Sequence, residues 1–200
     1  MSLQERVTRI VKQPKQEWPV IEAEPTDTAT LYKAYIIPLA AIPVICQFIG
    51  LVVIGVSVPL VGRYRWGVGD ALVMAVFQYI SQLVMVFVSA LIIAKLGPTF
   101  ASRDDQAQAL KLVAYSMTPV WIAGVLNLIP MLAILILFAG IYGIYLCYLG
   151  VPVLMKTPGE KVIPYMVVSV LVIIVVSFVL SVIIGLAGFG SRMMTSPGVL

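Results

Sequence analysis

Gln78, Ser81, Gln82 and Ser89 are the most conspicuous polar side chains in a long stretch otherwise built from apolar residues. At 100° per residue they fall within an arc of about 100°, with Met85 on the same face. Amide and hydroxyl groups at that spacing can do one kind of chemistry: they hydrogen-bond, to a facing helix or to water or a small neutral solute. Two glutamines in hydrocarbon are unfavourable unless hydrogen-bonded. The stripe is therefore expected to face the bundle interior, a partner subunit or a water-filled path. Interhelical hydrogen bonding, at about 0.6 kcal/mol per contact, is the plainer reading. A solute path is the sharper one.

Other chemistry has little to work with. The chain contains no histidine, which excludes a histidine general base and any histidine-ligated metal. Cys46 and Cys147 both fall in apolar stretches and act there as small apolar residues, so no disulfide framework follows from them. There is no phosphate-binding glycine loop, no paired carboxylates and no CxxC motif. No residue set can be given nucleophile, base and oxyanion roles. No Asp, Glu, Lys or Arg is expected at mid-membrane depth, and such groups mark proton relays, ion pathways and voltage sensors. A proton-coupled transporter and an intramembrane aspartyl protease are both disfavoured. No cofactor or metal is implied.

The elements that must position these residues are read from gaps in the charge. Between Lys111 and Lys156 there is no charged residue. As one helix that gap would be about 65 Å long, twice the roughly 30 Å hydrocarbon core, so it must fold back on itself. Three more charge-free stretches flank it: 34–62, 71–94 and 162–191. With 61% hydrophobic and 11% charged residues the chain is far from a soluble domain. Lipid forces backbone groups to pair internally, leaving helices or closed barrels, and continuous rather than alternating apolar runs select helices. The spacing predicts five transmembrane helices over about 36–61, 71–94, 112–128, 131–154 and 164–189, in a domain of residues 34–191. A segment 1–33 precedes it and a tail 192–200 follows.

Basic residues predict the orientation. Arg6, Arg9, Lys12, Lys15, Lys33, Lys95, Arg103, Lys111, Lys156 and Lys161 fall on the N-terminal side, against Arg63, Arg65 and Arg192 on the other. Ten against three on short loops places the N-terminus in the cytoplasm and the C-terminus outside. The net charge of +4 is spread over short flanks and does not suggest nucleic acid. Pro14, Pro19 and Pro25 break the charged N-terminal segment, so the first span rather than a cleaved leader is expected to direct insertion.

Within that frame, Leu3, Val7, Ile10 and Val11 lie at helical spacing, opposite Arg6, Arg9 and Lys12. They predict either a short basic helix on the anionic leaflet or a frayed tail. Residues 14–30 read as an extended lead-in, with Trp18, Tyr32 and Tyr35 as interfacial anchors. Pro38 suits a first helical turn, Pro43 should kink or interrupt the first span, and Pro59 lies near its end. Asp70 suits the head of span two. Ser102-Arg103-Asp104-Asp105 has the shape of a capping box leading into span three. Ala139 with Gly143 on span four, and Ser177, Ser181 and Gly185 on span five, form rows of small residues that allow close approach of helices, within one chain or between chains.

Two sets of residues carry a family resemblance. The lead-in Pro14-Lys-Gln-Glu-Trp18-Pro-Val-Ile-Glu22, followed by Leu31-Tyr-Lys-Ala-Tyr-Ile-Ile-Pro-Leu39-Ala, resembles the opening of bacterial Yip-domain proteins. Ala114-Tyr-Ser-Met-Thr-Pro119, Leu128-Ile-Pro130 and Ile141-Tyr-Gly-Ile-Tyr145 resemble the middle of the same domain. The resemblance implies a five-span protein with a cytoplasmic N-terminus, residing in the bacterial inner membrane, and it supplies no catalytic residues. Eukaryotic members are linked to prenylated Rab-type GTPases and vesicle traffic. Here only about thirty residues precede span one, a departure from their long cytoplasmic N-terminal region that weighs against GTPase binding.

The expectation is thus an all-α polytopic membrane protein, non-enzymatic, acting as an interaction or membrane-organising component. Its expected partners are membrane lipids, further copies of itself and unidentified membrane or cytoplasmic proteins. The alternative is a channel or facilitator for a small neutral solute, using Gln78 and Gln82 beside a kink at Pro43; lipid handling through a polar groove open sideways to the membrane ranks last, since no sequence feature selects it.

Overall fold

An apolar stripe on a helix must be covered, and in this chain the first two helices cover theirs with the bundle itself. The computed structural model describes residues 1–58 and 62–184. Helix α1 (Leu3–Lys12) is capped by Ser2, whose hydroxyl accepts from the Glu5 N–H, and α2 (Pro14–Ala23) starts on a proline whose missing N–H needs no partner there. Gln13 alone separates them, so they form a tight hairpin. Ile10, Trp18 and Ile21 are fully buried, and Leu3, Val7 and Val11 pack against the same core. The stretch expected as an extended lead-in is therefore largely helical. Its apolar side is satisfied by protein.

Five helices follow that are long and apolar enough to cross a membrane: α3 (Thr28–Ile54), α4 (Val68–Phe100), α5 (Gln106–Leu128), α6 (Pro130–Leu154) and α7 (Val162–Ile184). Helix α5 is central. Protein covers 61% of its most apolar window, against 11% for α6. It packs on α3, α4 and α6, while α7 lies on the edge formed by α4 and α6.

The first membrane helix ends at Ile54 rather than near 61, because Gly55 turns the chain at φ 76°. The chain beyond it pairs as a small antiparallel ribbon, β1 (Val56–Val58) against β2 (Gly62–Tyr64), in the register Val56–Tyr64 and Val58–Gly62. Pro59 lies outside the described residues. The Trp66 N–H then donates to the Leu51 carbonyl at 3.3 Å, which ties the ribbon's exit back to α3.

Helix α3 rewinds locally before Pro38 and carries Pro43 within regular α-helix. A π-helical turn, Tyr32–Ile36, precedes Pro38, and the helix then runs through Pro43 without ending. At the other end of the bundle, Asp105, not Ser102, caps α5 by accepting from the Gln108 N–H at 3.0 Å. The Ser102 hydroxyl is engaged elsewhere, 2.8 Å from the Thr157 hydroxyl of the α6–α7 connection.

Candidate functional site

The polar stripe of α4 lies against α3, and its members have different surroundings. Gln82 donates through Nε2 to the Ala40 carbonyl at 2.7 Å, and Tyr79 donates to the Ile37 carbonyl at 2.9 Å. Both reach backbone carbonyls in the stretch of α3 that holds Pro38 and Pro43. Gln78 lines a crevice with Val44, Gln47, Phe48 and Met74, which leaves about 0 Å³ for water. Ser89 is buried and Ser81 half-buried.

Pro43 faces protein. A Cβ built on Gly124 of α5 would lie 2.5 Å from the Pro43 Cβ and 2.8 Å from its Cα, so the two backbones meet with no room for a side chain. Gly124→Ala is therefore expected to cost at least the roughly 1–3 kcal/mol of an overpacked core, read as a lower melting temperature in detergent. An unchanged melting temperature would show that the contact is not close.

The small-residue rows divide similarly. Gly143 of α6 meets the Ser116 carbonyl of α5, where an added Cβ would stand 2.8 Å away, and Ala139 is half-buried. Ser177 donates to the Ile173 carbonyl of its own helix at 2.7 Å. The Ser181 side chain and Gly185 lie outside the described residues.

The densest polar constellation is elsewhere, where the α1–α2 hairpin seats on α5. Arg6 pairs with both Glu17 of α2 and Glu24 just beyond its end, and lies 5.8 Å over the ring of Tyr115. Arg6 and Glu17 are 6% and 3% exposed, so their charges are carried out of water together. Burial alone would lower the Arg6 pKa, but the Glu24 hydrogen bond and the fields of Tyr115, Glu24 and Glu17 outweigh it, and the net direction is up. Lys111 of α5 is equally buried and donates to the Ile21 carbonyl at 2.8 Å and the Glu24 carbonyl at 2.5 Å. A cation there suits the negative C-terminal end of α2. Beneath the charges, Tyr35 and Tyr115 pack with centroids 4.5 Å apart, and the Tyr35 hydroxyl meets that of Thr118 at 2.7 Å.

Trp18 completes the seat. Its indole stands edge-on to Tyr115 and so close to α6 that a Cβ on Gly150 would fall 2.8 Å from it. Tyr142 donates to the Val11 carbonyl at 2.6 Å, fastening the end of α1 to α6. Around the rim, Glu22 of α2 bridges Arg103 at 3.2 Å and Lys156 at 3.1 Å, one from each connecting loop on that side. The hydrogen bond from Lys156 holds the Glu22 carboxyl below its usual range.

Trp18 and Tyr35 are thus interior residues, not interfacial anchors, and Tyr32 donates to the Leu83 carbonyl from a half-buried position. A sequence signal for this seat existed. Arg6 lies four residues before Ile10, and Glu17 four before Ile21, so each charge shares a face with a buried apolar residue instead of opposing it.

Such an arrangement binds and orients. It holds a hairpin on a bundle end through paired charges. Fold and site together define a five-span helical integral membrane protein whose N-terminal hairpin is built into the bundle. The chain belongs to the Yip1 domain family, whose model matches residues 8–183. Among curated proteins it is similar to the inner membrane protein YohC of Escherichia coli K12, 28% identical over 186 residues, covering 90% of this chain and 94% of that protein. The YohC protein of the Escherichia coli O6:H1 strain matches to the same extent. No solved structure matches.

Proposed function

We propose that the protein is a non-enzymatic membrane-organising or interaction component, working through its outer surfaces and not through an internal path. Its partners in this reading are membrane lipids, further copies of itself and membrane or cytoplasmic proteins. The N-terminal face lies in the cytoplasm, on the basic-residue count, and the protein resides in a bacterial inner membrane like its Escherichia coli relatives.

One observation carries this reading over a solute channel: the groups a path would need are used in packing. Gln82 bonds the α3 backbone, Pro43 abuts Gly124, and the crevice beside Gln78 has no room for water. What remains free is the outside. Helix α7 presents Ile163, Val167, Leu171, Ile174 and Phe178 outward, and α6 presents Met131, Ile134 and Phe138.

Native mass spectrometry of the protein released gently with its lipids tests the self-association. A discrete oligomer is expected, shifted to monomer by Ser181→Leu with Gly185→Leu. A wild type that is monomeric under all lipid conditions, or an oligomer untouched by these substitutions, would overturn assembly through Ser181 and Gly185.

A further inference from the structure

The turn between α1 and α2 stands against the side of α6 and leaves an open groove of about 250 Å³. Its lining is Lys12, Gln13, Pro14, Lys15, Gln16 and Tyr145. Two lysines, two glutamines and a tyrosine thus share this lining with no acidic residue among them. Among the described residues neither Lys12 nor Lys15 belongs to an ion pair, although Arg6, Arg9, Lys95, Arg103 and Lys156 all do. The groove lies where α1 ends and α2 begins, so opposed helix ends meet there and the two lysines set the local charge.

Below the groove the surface changes character at once. Ile141 and Phe138 lie four and seven residues before Tyr145, on the same stripe of α6, and are 58% and 68% exposed. They form an apolar track leading from the lysines toward the opposite end of the bundle. Depth agrees with this. From Pro130 to Tyr145 the chain rises through six residues of 3-10 helix and then α-helix, roughly 26 Å in all. That is close to one hydrocarbon thickness. Tyr145 therefore sits at headgroup level when Pro130 sits at the other boundary, with its ring tilted against Tyr142 at 5.7 Å. A phenol is comfortable at that depth.

We propose that this groove is a binding site for the phosphate headgroup of an anionic phospholipid, with Lys12 and Lys15 holding the phosphate and an acyl chain lying along Ile141 and Phe138. The inference concerns a site on one protomer and does not rest on self-association. Charge selects an anion, and the apolar track continuous with the groove selects a lipid over a free anion. Because Tyr142 bonds the Val11 carbonyl next to Lys12, a lipid bound here would also brace the hairpin against α6.

The test uses the full chain in detergent, titrated with phosphatidylglycerol or with phosphatidylcholine of the same acyl chains, and read by native mass spectrometry. The wild type is expected to retain phosphatidylglycerol in preference. Lys12→Gln with Lys15→Gln should weaken that binding by roughly 30-fold, at about fivefold per cation near an anionic headgroup, and leave phosphatidylcholine unaffected. Both lysines are exposed, so the melting temperature without lipid should not move. Tyr145→Phe, which keeps the fold and the charges, should give a smaller loss in the same direction. Lys33→Gln with Lys161→Gln removes the same net charge elsewhere. If that pair weakens binding as much, the attraction is general and the site is overturned. Complete displacement of phosphatidylglycerol by millimolar inorganic phosphate would make this a free-anion site and overturn the lipid assignment.

Discussion

Replacing Trp18 with alanine should lower the free energy of unfolding by about 3–5 kcal/mol, the range for truncating a fully buried tryptophan. Trp18 has no exposed surface, and it fills the space between Tyr115 and the bare backbone of Gly150. Removing it leaves a cavity under the hairpin that neither α5 nor α6 can close, since each is fixed by its own contacts. Thermal unfolding in detergent measures the loss. Trypsin supplies an independent readout, because a loosened hairpin exposes the backbone beside Lys12 and Lys15. Trp18→Phe should cost much less. The indole Nε1 has no hydrogen-bond partner, so phenylalanine gives up some packing but no hydrogen bond. Equal losses for Ala and Phe would refute this account of the seat.

Arg6→Ala is expected to have an effect of the same size for an electrostatic reason. It strands Glu17, which is 3% exposed, as a buried charge without its cation. Breaking such a pair from one side typically costs about 3–5 kcal/mol, whereas exchanging both partners for apolar groups is often neutral. Arg6→Met with Glu17→Met should therefore recover most of the stability lost by Arg6→Ala. Glu24, the second partner, has a side chain 43% exposed and can turn to water once Arg6 is gone. A double variant no more stable than Arg6→Ala would mean that the charges hold the hairpin in a way packing cannot replace. In either outcome the hairpin is tested as part of the folded body, not as a tail attached to it.

The two rows of candidate residues show how far residue types alone can be taken. Gln82 belongs to a stripe that had to find hydrogen-bond partners, and its partner is the α3 backbone near Pro43. Nothing in the stripe itself distinguishes a carbonyl from a water as that partner, because the same amide serves both. Gly143 was visible as a small residue and Gly124 was not singled out, and smallness permits close approach without naming the neighbour. Coordinates supply Ser116 for one and Pro43 for the other. Arg6 was misplaced for a different reason. Set opposite the apolar stripe by its charge, it in fact borders that stripe by its position, and its burial depends on Glu17, eleven residues later.

Charge-free runs by themselves determined that the chain is a helical membrane protein with five spans. The cause is simple: a bilayer core admits neither an unpaired backbone nor an uncompensated charge, so length and charge gaps are sufficient evidence. Periodicity likewise allowed an amphipathic helix near the N-terminus, with a frayed tail as the alternative, and the structure holds the helix. Only the tertiary structure decided what covers it. An apolar stripe demands removal from water, and lipid tails and a protein interior satisfy that demand equally well. The choice between them rests on contacts distant in sequence: Trp18 on Gly150, Tyr142 on Val11, Lys111 on the end of α2. These depend on where the helices stand relative to one another, which no local pattern encodes.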